Sequence, residues 1–134
     1  MQPNTISVNV DTLNDGTTIV EEDYTRYEEY QNRSVYIGEN HSLSARDMLN
    51  LYRTFPKANG NSKGVAKSAV KLTLDVDVPG IDGIATLTVP FIIDISFSIP
   101  VGASSAAILR ARQRALALLD SDTIMTALNE QLMV

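Results

Sequence analysis

Cysteine is missing altogether, and histidine occurs once, at position 41. Without cysteine the chain forms no disulfide and no thiolate metal site, and it suits a reducing compartment. A single histidine, in the loop GENHSLS, supports no serine–histidine–aspartate arrangement, and a solvated loop position is expected for it. No apolar run approaches the roughly 18 residues of a membrane-spanning helix. The start, MQPNTISVNV, has no basic segment followed by an apolar one, so no signal peptide is expected. The sequons at Asn32 and Asn40 then read as chance matches. A phosphate-binding loop is lacking too: GNSKG at 60–64 has the wrong spacing and follows no parallel strand. The acid pairs Glu21–Glu22 and Glu28–Glu29 read as solvated charge, since a general acid and base normally converge on a cleft from separated positions. These absences exclude the common catalytic arrangements, and no enzyme and no cofactor are expected.

What is present is a core. With 134 residues, 44% of them hydrophobic, the chain reads as one domain over 1–134, long enough to bury roughly two-thirds of its unfolded surface. The net charge of −5 is unevenly spread. Residues 1–47 carry nine acids against Arg26, Arg33 and Arg46. Residues 48–74 carry Arg53, Lys57, Lys63, Lys67 and Lys71 and no acid, a positive stretch in an otherwise negative chain.

Periodicity gives the elements. ISVNV at 6–10 alternates, NDG at 14–16 tolerates positive φ, and TTIVEE returns, which together predict a hairpin over about 5–22. DYTRYEEYQ at 23–31 has no period and reads as a connection. SVYIG at 34–38 predicts a strand. SARDMLNLYRTF at 44–55 fits helix or strand; alternation of Leu49 and Leu51 with Asn50 and Tyr52, ended by Pro56, favours strand, with the register open by one residue. PKANGNSKGVAKS reads as a loop. VKLTLDVDVP puts Val70, Leu72, Leu74, Val76 and Val78 on one face and Lys71, Thr73, Asp75 and Asp77 on the other. TLTVPFIIDISFSIP is the last strand, with Pro90 pointing to an edge or a bulge. From Ser104 or Ser105 the period becomes helical, with a broad apolar stripe of Ile108, Leu109, Ala111, Ala115, Leu116, Leu118 and Leu119. DSD at 120–122 breaks that helix and caps a second, lined by Ile124, Leu128 and Leu132, so that helices are expected over about 104–132. The sum is an α+β chain of six or seven antiparallel strands and two helices. Two short helices cover so wide a sheet incompletely, which predicts an intertwined homodimer.

Two sets of polar residues invite a ligand. Asp75, Asp77 and Asp82 are hard-metal donors in type, but Pro79 and the lack of a terminal bidentate Glu depart from a calcium loop, and no metal site is predicted. Lys57, Lys63, Lys67 and Lys71 read equally as a soluble basic loop and as phosphate contacts beside Thr73, Ser96 and Ser98, with Tyr52 available for base stacking.

The stretch IIDISFSIPVGASSAAILRARQRALALLDSDTIMTALNEQL resembles the C-terminal third of the coat proteins of leviviruses, the small single-stranded RNA bacteriophages. LNLYRTFPKANGNSKGVAKSAVKLTLDVDVP is similar to that family's strand, basic loop and strand ending in Val-Pro, and the hairpin around NDG fits as well. The resemblance covers residues 45–134 and, loosely, 5–22. It implies an N-terminal hairpin, a five-stranded antiparallel sheet over about 34–99 and two helices that cross a partner chain. It implies a capsid subunit, assembled in the bacterial host cytoplasm into an icosahedral virion that encloses single-stranded RNA, with RNA-hairpin binding and translational repression. The dimer interface would hold Ile108, Leu109, Leu116, Leu119, Ile124 and Leu128, and the loop between dimers Gly80, Ile81, Asp82 and Gly83. RNA would meet Tyr52, Arg53, Lys57, Lys63, Lys67, Lys71, Thr73, Asp94 and Ser96, although Asp75, Asp77 and Asp94 oppose phosphate by Coulomb repulsion. The competing expectation is a small dimeric binding module for nucleic acid or an acidic ligand that builds no shell.

Overall fold

The structure, a computed structural model, describes residues 3–130. Six strands, β1 (Thr5–Asp11), β2 (Ile19–Tyr30), β3 (Arg33–Gly38), β4 (Asp47–Thr54), β5 (Val65–Pro79) and β6 (Thr86–Pro100), precede two helices, α1 (Ser105–Leu119) and α2 (Asp122–Asn129). The strands form a single sheet in the order β1-β2-β3-β4-β5-β6, so each follows its neighbour in sequence. Among the described residues, those up to Phe55 together with Ala66–Ser98 make one compact unit, and Pro56–Val65 with those from Ile99 onward make a second.

The first hairpin turns where the sequence predicts. Asn14 and Gly16 adopt φ of 52° and 77°, and the Asp11 carboxylate accepts from the Gly16 amide at 2.7 Å. Asp15 accepts from the Thr17 and Thr18 amides and from the Thr18 hydroxyl at 2.7–2.8 Å. Those donors, the Thr18 hydroxyl first, hold the Asp15 carboxyl far below the usual carboxylate range.

Three expectations change. Residues 23–30 are not a connection: they continue β2, which pairs with β1 on one side and β3 on the other. The register shifts between Arg26 and Glu28, a bulge at Tyr27 that places the neighbouring side chains out of simple alternation. Because β2 is shared, the hairpin belongs to the sheet, which has six strands rather than a hairpin beside five. Finally, β5 begins at Val65, earlier than the predicted Val70, so the basic loop is shorter. Gly64 sets its end with φ of 92°, and a Cβ there would lie 2.4 Å from the Lys57 carbonyl oxygen. The last strand spans 86–100 as read.

The core of the first unit lies on one sheet face. Tyr24, Tyr36 and Leu49 are buried, with Ile6, Leu51, Val70 and Leu72 packed against them. The register explains this. Leu49 pairs with Leu72 and with Tyr36, and Leu51 with Val70, so Leu49 and Leu51 face the core and Asn50 and Tyr52 the other side. The Tyr36 hydroxyl donates to the Pro3 carbonyl at 2.7 Å. Burial, with the charges of Asp47 and Glu22 beside it, pushes the Tyr24 phenol up to about 12. His41 is half-buried rather than solvated, its Nδ1 accepting from the Asp47 amide at 3.2 Å.

In the second unit Ser104 caps α1, its hydroxyl accepting from the Ala107 amide at 3.2 Å. Ser121 stands at the start of α2 but makes no side-chain cap. The expected helical residues 131 and 132 lie outside the described residues.

Candidate nucleic-acid interface and helix surface

Alternation along paired strands sorts the predicted RNA residues. Asn50 pairs with Lys71, Tyr52 with Ala69, Thr54 with Lys67 and Met48 with Thr73. Tyr52, Lys67, Lys71 and Thr73 therefore share the face opposite the core. Directly across β3, Arg33 pairs with Tyr52 and joins them, a cation that inspection of the 48–74 stretch leaves out. On β6 the Thr88 hydroxyl donates to the Asp77 carboxylate at 2.6 Å, and Asp77 is on that same polar face. Counting by twos from Thr88 brings Asp94 and Ser96 to it as well. Phe97, one step out of phase, lines a cleft of about 340 Å³ with the core-side residues Leu51 and Val70.

Arg53 is placed differently. It pairs with Ser68 on the core side, and its guanidinium sits 5.1 Å above the Phe55 ring. Lys57 and Lys63 flank a tight hairpin of the second unit, closed by reciprocal bonds of 2.9 and 3.0 Å between Asn59 and Ser62. Thr73 lies on the polar face but is buried, so it offers little surface to a ligand.

Of the carboxylates set against RNA binding, Asp75 and Asp77 each have another partner, as does Asp82 of the turn. Asp75 receives the Arg46 amide at 2.9 Å, its Nε at 3.0 Å and a terminal guanidinium nitrogen at 3.1 Å. The reason is local: Asp47 pairs with Leu74, so residues 46 and 75 fall opposite each other just beyond the end of β4. The Arg46 hydrogen bonds keep the Asp75 carboxyl below its ordinary value. Asp77 is held by Thr88. Asp82 accepts from the Ile84 and Ala85 amides at 3.0 Å each, and those amides lower its carboxyl. No group of three metal-ligating side chains occurs among the described residues. Further carboxylates of the polar face are on β2, where Asp23 pairs with Ser7 and Glu21 with Asn9. The face thus carries Glu21 and Asp23 at the β1–β2 end, Arg33, Lys67 and Lys71 toward the middle, and Asp94 on β6.

The predicted loop between dimers is a stapled turn. Gly80 donates to the Ala85 carbonyl at 2.7 Å and Gly83 to the Gly80 carbonyl at 3.0 Å, with φ of 71° at Gly83. This turn, with Asp82 inside it, presents Ile81 and Ile84 fully to solvent.

Helix α1 has no buried residue. Its apolar stripe is uncovered: Ile108 is 40% exposed, Leu109 51%, Leu116 51% and Leu119 48%. In α2 Ile124 is half-buried, Leu128 exposed and Ala127 buried. Arg112 lies within the α1 stripe, four residues from both Ile108 and Leu116 and three from Leu109. Hydrophobic periodicity alone passes over it.

No protein-family model matches the chain, and no curated protein sequence matches it. Solved structures do. The chain is similar over 100% of its length to 99% of a chain from the virus-like particle of bacteriophage AVE019, with a TM-score of 0.76 at 18% identity. It matches the virus-like particle of bacteriophage ESE058 over 100% of its own length and 99% of that chain, with a TM-score of 0.72 at 11% identity. For the virus-like particle of Beihai levi-like virus 21 the coverage is 98% of both chains, with a TM-score of 0.70 at 15% identity. The chain has the α+β fold of these phage and levi-like particle subunits, a six-stranded antiparallel sheet followed by two helices, which is the fold class that its resemblance to levivirus coat proteins implies.

Proposed function

We propose that the chain is a coat-protein subunit of a single-stranded RNA phage. It works as a homodimer that self-assembles in the bacterial host cytoplasm into the icosahedral shell of the virion and encloses RNA. The observation that carries this reading is the end-to-end likeness to subunits of virus-like particles. The uncovered α1 stripe supports the dimer, because a contiguous apolar surface of this kind marks an interaction site. Ile108, Leu109, Leu116, Leu119, Ile124 and Leu128 bury against the partner, and the turn at Gly80–Gly83 meets neighbouring dimers through Ile81.

The polar sheet face lines the inside of the shell. Arg33, Lys67 and Lys71 neutralise phosphates, and Tyr52 stacks on a base. Asp75 does not stand against them as a free charge, because Arg46 neutralises it. Hairpin recognition, and with it translational repression, belongs to this same face at Tyr52, Asp94 and Ser96. The role is burial and geometry, not catalysis.

Expression of the chain alone in bacteria tests the reading. Size exclusion, negative-stain electron microscopy and the absorbance ratio at 260 and 280 nm should show uniform spherical particles with a nucleic-acid spectrum. Empty particles would remove RNA from the proposal and keep the shell. A clean dimer that builds no shell would replace the proposal with a small binding module.

A further inference from the structure

The core side of the first hairpin carries a second half-exposed apolar strip. Ile6 pairs with Tyr24, Val8 with Glu22 and Val10 with Val20, so Ile6, Val8, Val10 and Val20 surround Glu22 on that face. Val8 is 37% exposed and Val20 46%. Glu22 is the one carboxylate among them, and its charge is close enough to act on the Tyr24 phenol. The α1 stripe has the converse pattern, four exposed aliphatic side chains around one cation, Arg112. The two surfaces match in length also. Ile6 to Val10 spans roughly 13 Å of strand, and Ile108 to Leu119 roughly 16 Å of helix.

A charge inside an apolar contact is costly to bury unless it meets its opposite, and such a pair then fixes the register of the contact. We infer that the α1 stripe of one copy docks on the hairpin strip of a second copy, with Arg112 paired to Glu22 of that second copy and setting the register. This rests on the homodimer proposed above. Two pairs form in each dimer, because a two-fold interface repeats every contact. An apolar residue at either position would leave the other charge buried and alone.

Charge exchange tests the pairing. Arg112→Glu and Glu22→Arg are each expected to weaken dimerisation on the order of 100-fold, and the doubly exchanged chain to recover most of that loss. Dimer dissociation is read by analytical ultracentrifugation and folding by circular dichroism. Arg112→Met and Glu22→Gln, which remove charge without reversing it, give a second cycle in case a reversed charge prevents folding: each alone weakens the dimer, and together they restore it. Singles that dimerise like the parent chain, or folded doubles that recover nothing, overturn the pairing and leave the homodimer standing. A parent chain that never dimerises overturns the coat-subunit reading itself.

Discussion

The side chains that define this chain's two faces are ionisable as often as apolar, and their partners decide what they do. Asp75 is the clearest case. As a letter on a strand it opposes phosphate, whereas in the fold it is tied three times to Arg46. No spacing rule finds that pair, because the residues are 29 apart in sequence and meet only through the β4–β5 register. Arg33 was hidden for a related reason: it joins Tyr52 from the neighbouring strand. Tyr24 carries a prediction at this scale. Its phenol is raised to about 12, with burial the leading cause. The raised value means that the folded state holds this proton more tightly than the unfolded one. The stability it contributes is therefore complete below about pH 10 and is lost as pH rises toward 12. Ultraviolet titration of the phenolates should show a late component that disappears in Tyr24→Phe, and alkaline unfolding of that variant should be less steep. A variant with an unchanged titration would refute the assignment.

Elements were legible where one period ran without interruption. The last strand, at 86–100, agrees with the periodicity to the residue, and of the two candidate caps, Ser104 and Ser105, the structure uses Ser104. The second half of β2 was not, since the bulge at Tyr27 shifts the phase in a segment already crowded with Glu and Tyr. The face of β4 became definite only once Leu49 and Leu51 were paired with Leu72 and Val70. Helix α1 was readable as amphipathic, yet its periodicity says nothing of what its stripe meets. That stripe makes the second prediction. Leu116 is 51% exposed in the single chain, so Leu116→Ala should shift the stability of dissociated subunits by no more than about 0.5 kcal/mol. Buried in a dimer, the same truncation costs about 2–5 kcal/mol. Particle yield should therefore collapse while subunit melting stays put. Intact particles from this variant would remove α1 from the interface.

For the whole molecule the division of charge matters more than the total of −5. A net negative chain still presents a positive surface where its cations lie together, as Arg33, Lys67 and Lys71 do on the polar face, although Asp94 shares that face. Removing Lys67 or Lys71, each on the polar face, should lower the RNA content of particles without lowering their number. Each removal should also flatten the salt dependence of RNA binding by roughly one phosphate's worth of slope. Filter binding of single-stranded RNA across a salt series reads this, and unchanged slopes would move the contact elsewhere. Order and spacing of elements revealed the fold, whereas the grouping of Arg33, Lys67 and Lys71 on one face needed the register to become visible.

Strand β6 is the end member of the sheet, fifteen residues long, with strand pairing on only one side within the chain. An edge of that length is a template for any extended chain that drifts past, so the isolated chain is exposed to edge-to-edge extension there. Pro90 has no amide hydrogen and breaks the row of donors near its first third. In the homodimer proposed above, a second copy that pairs along this edge would remove the template.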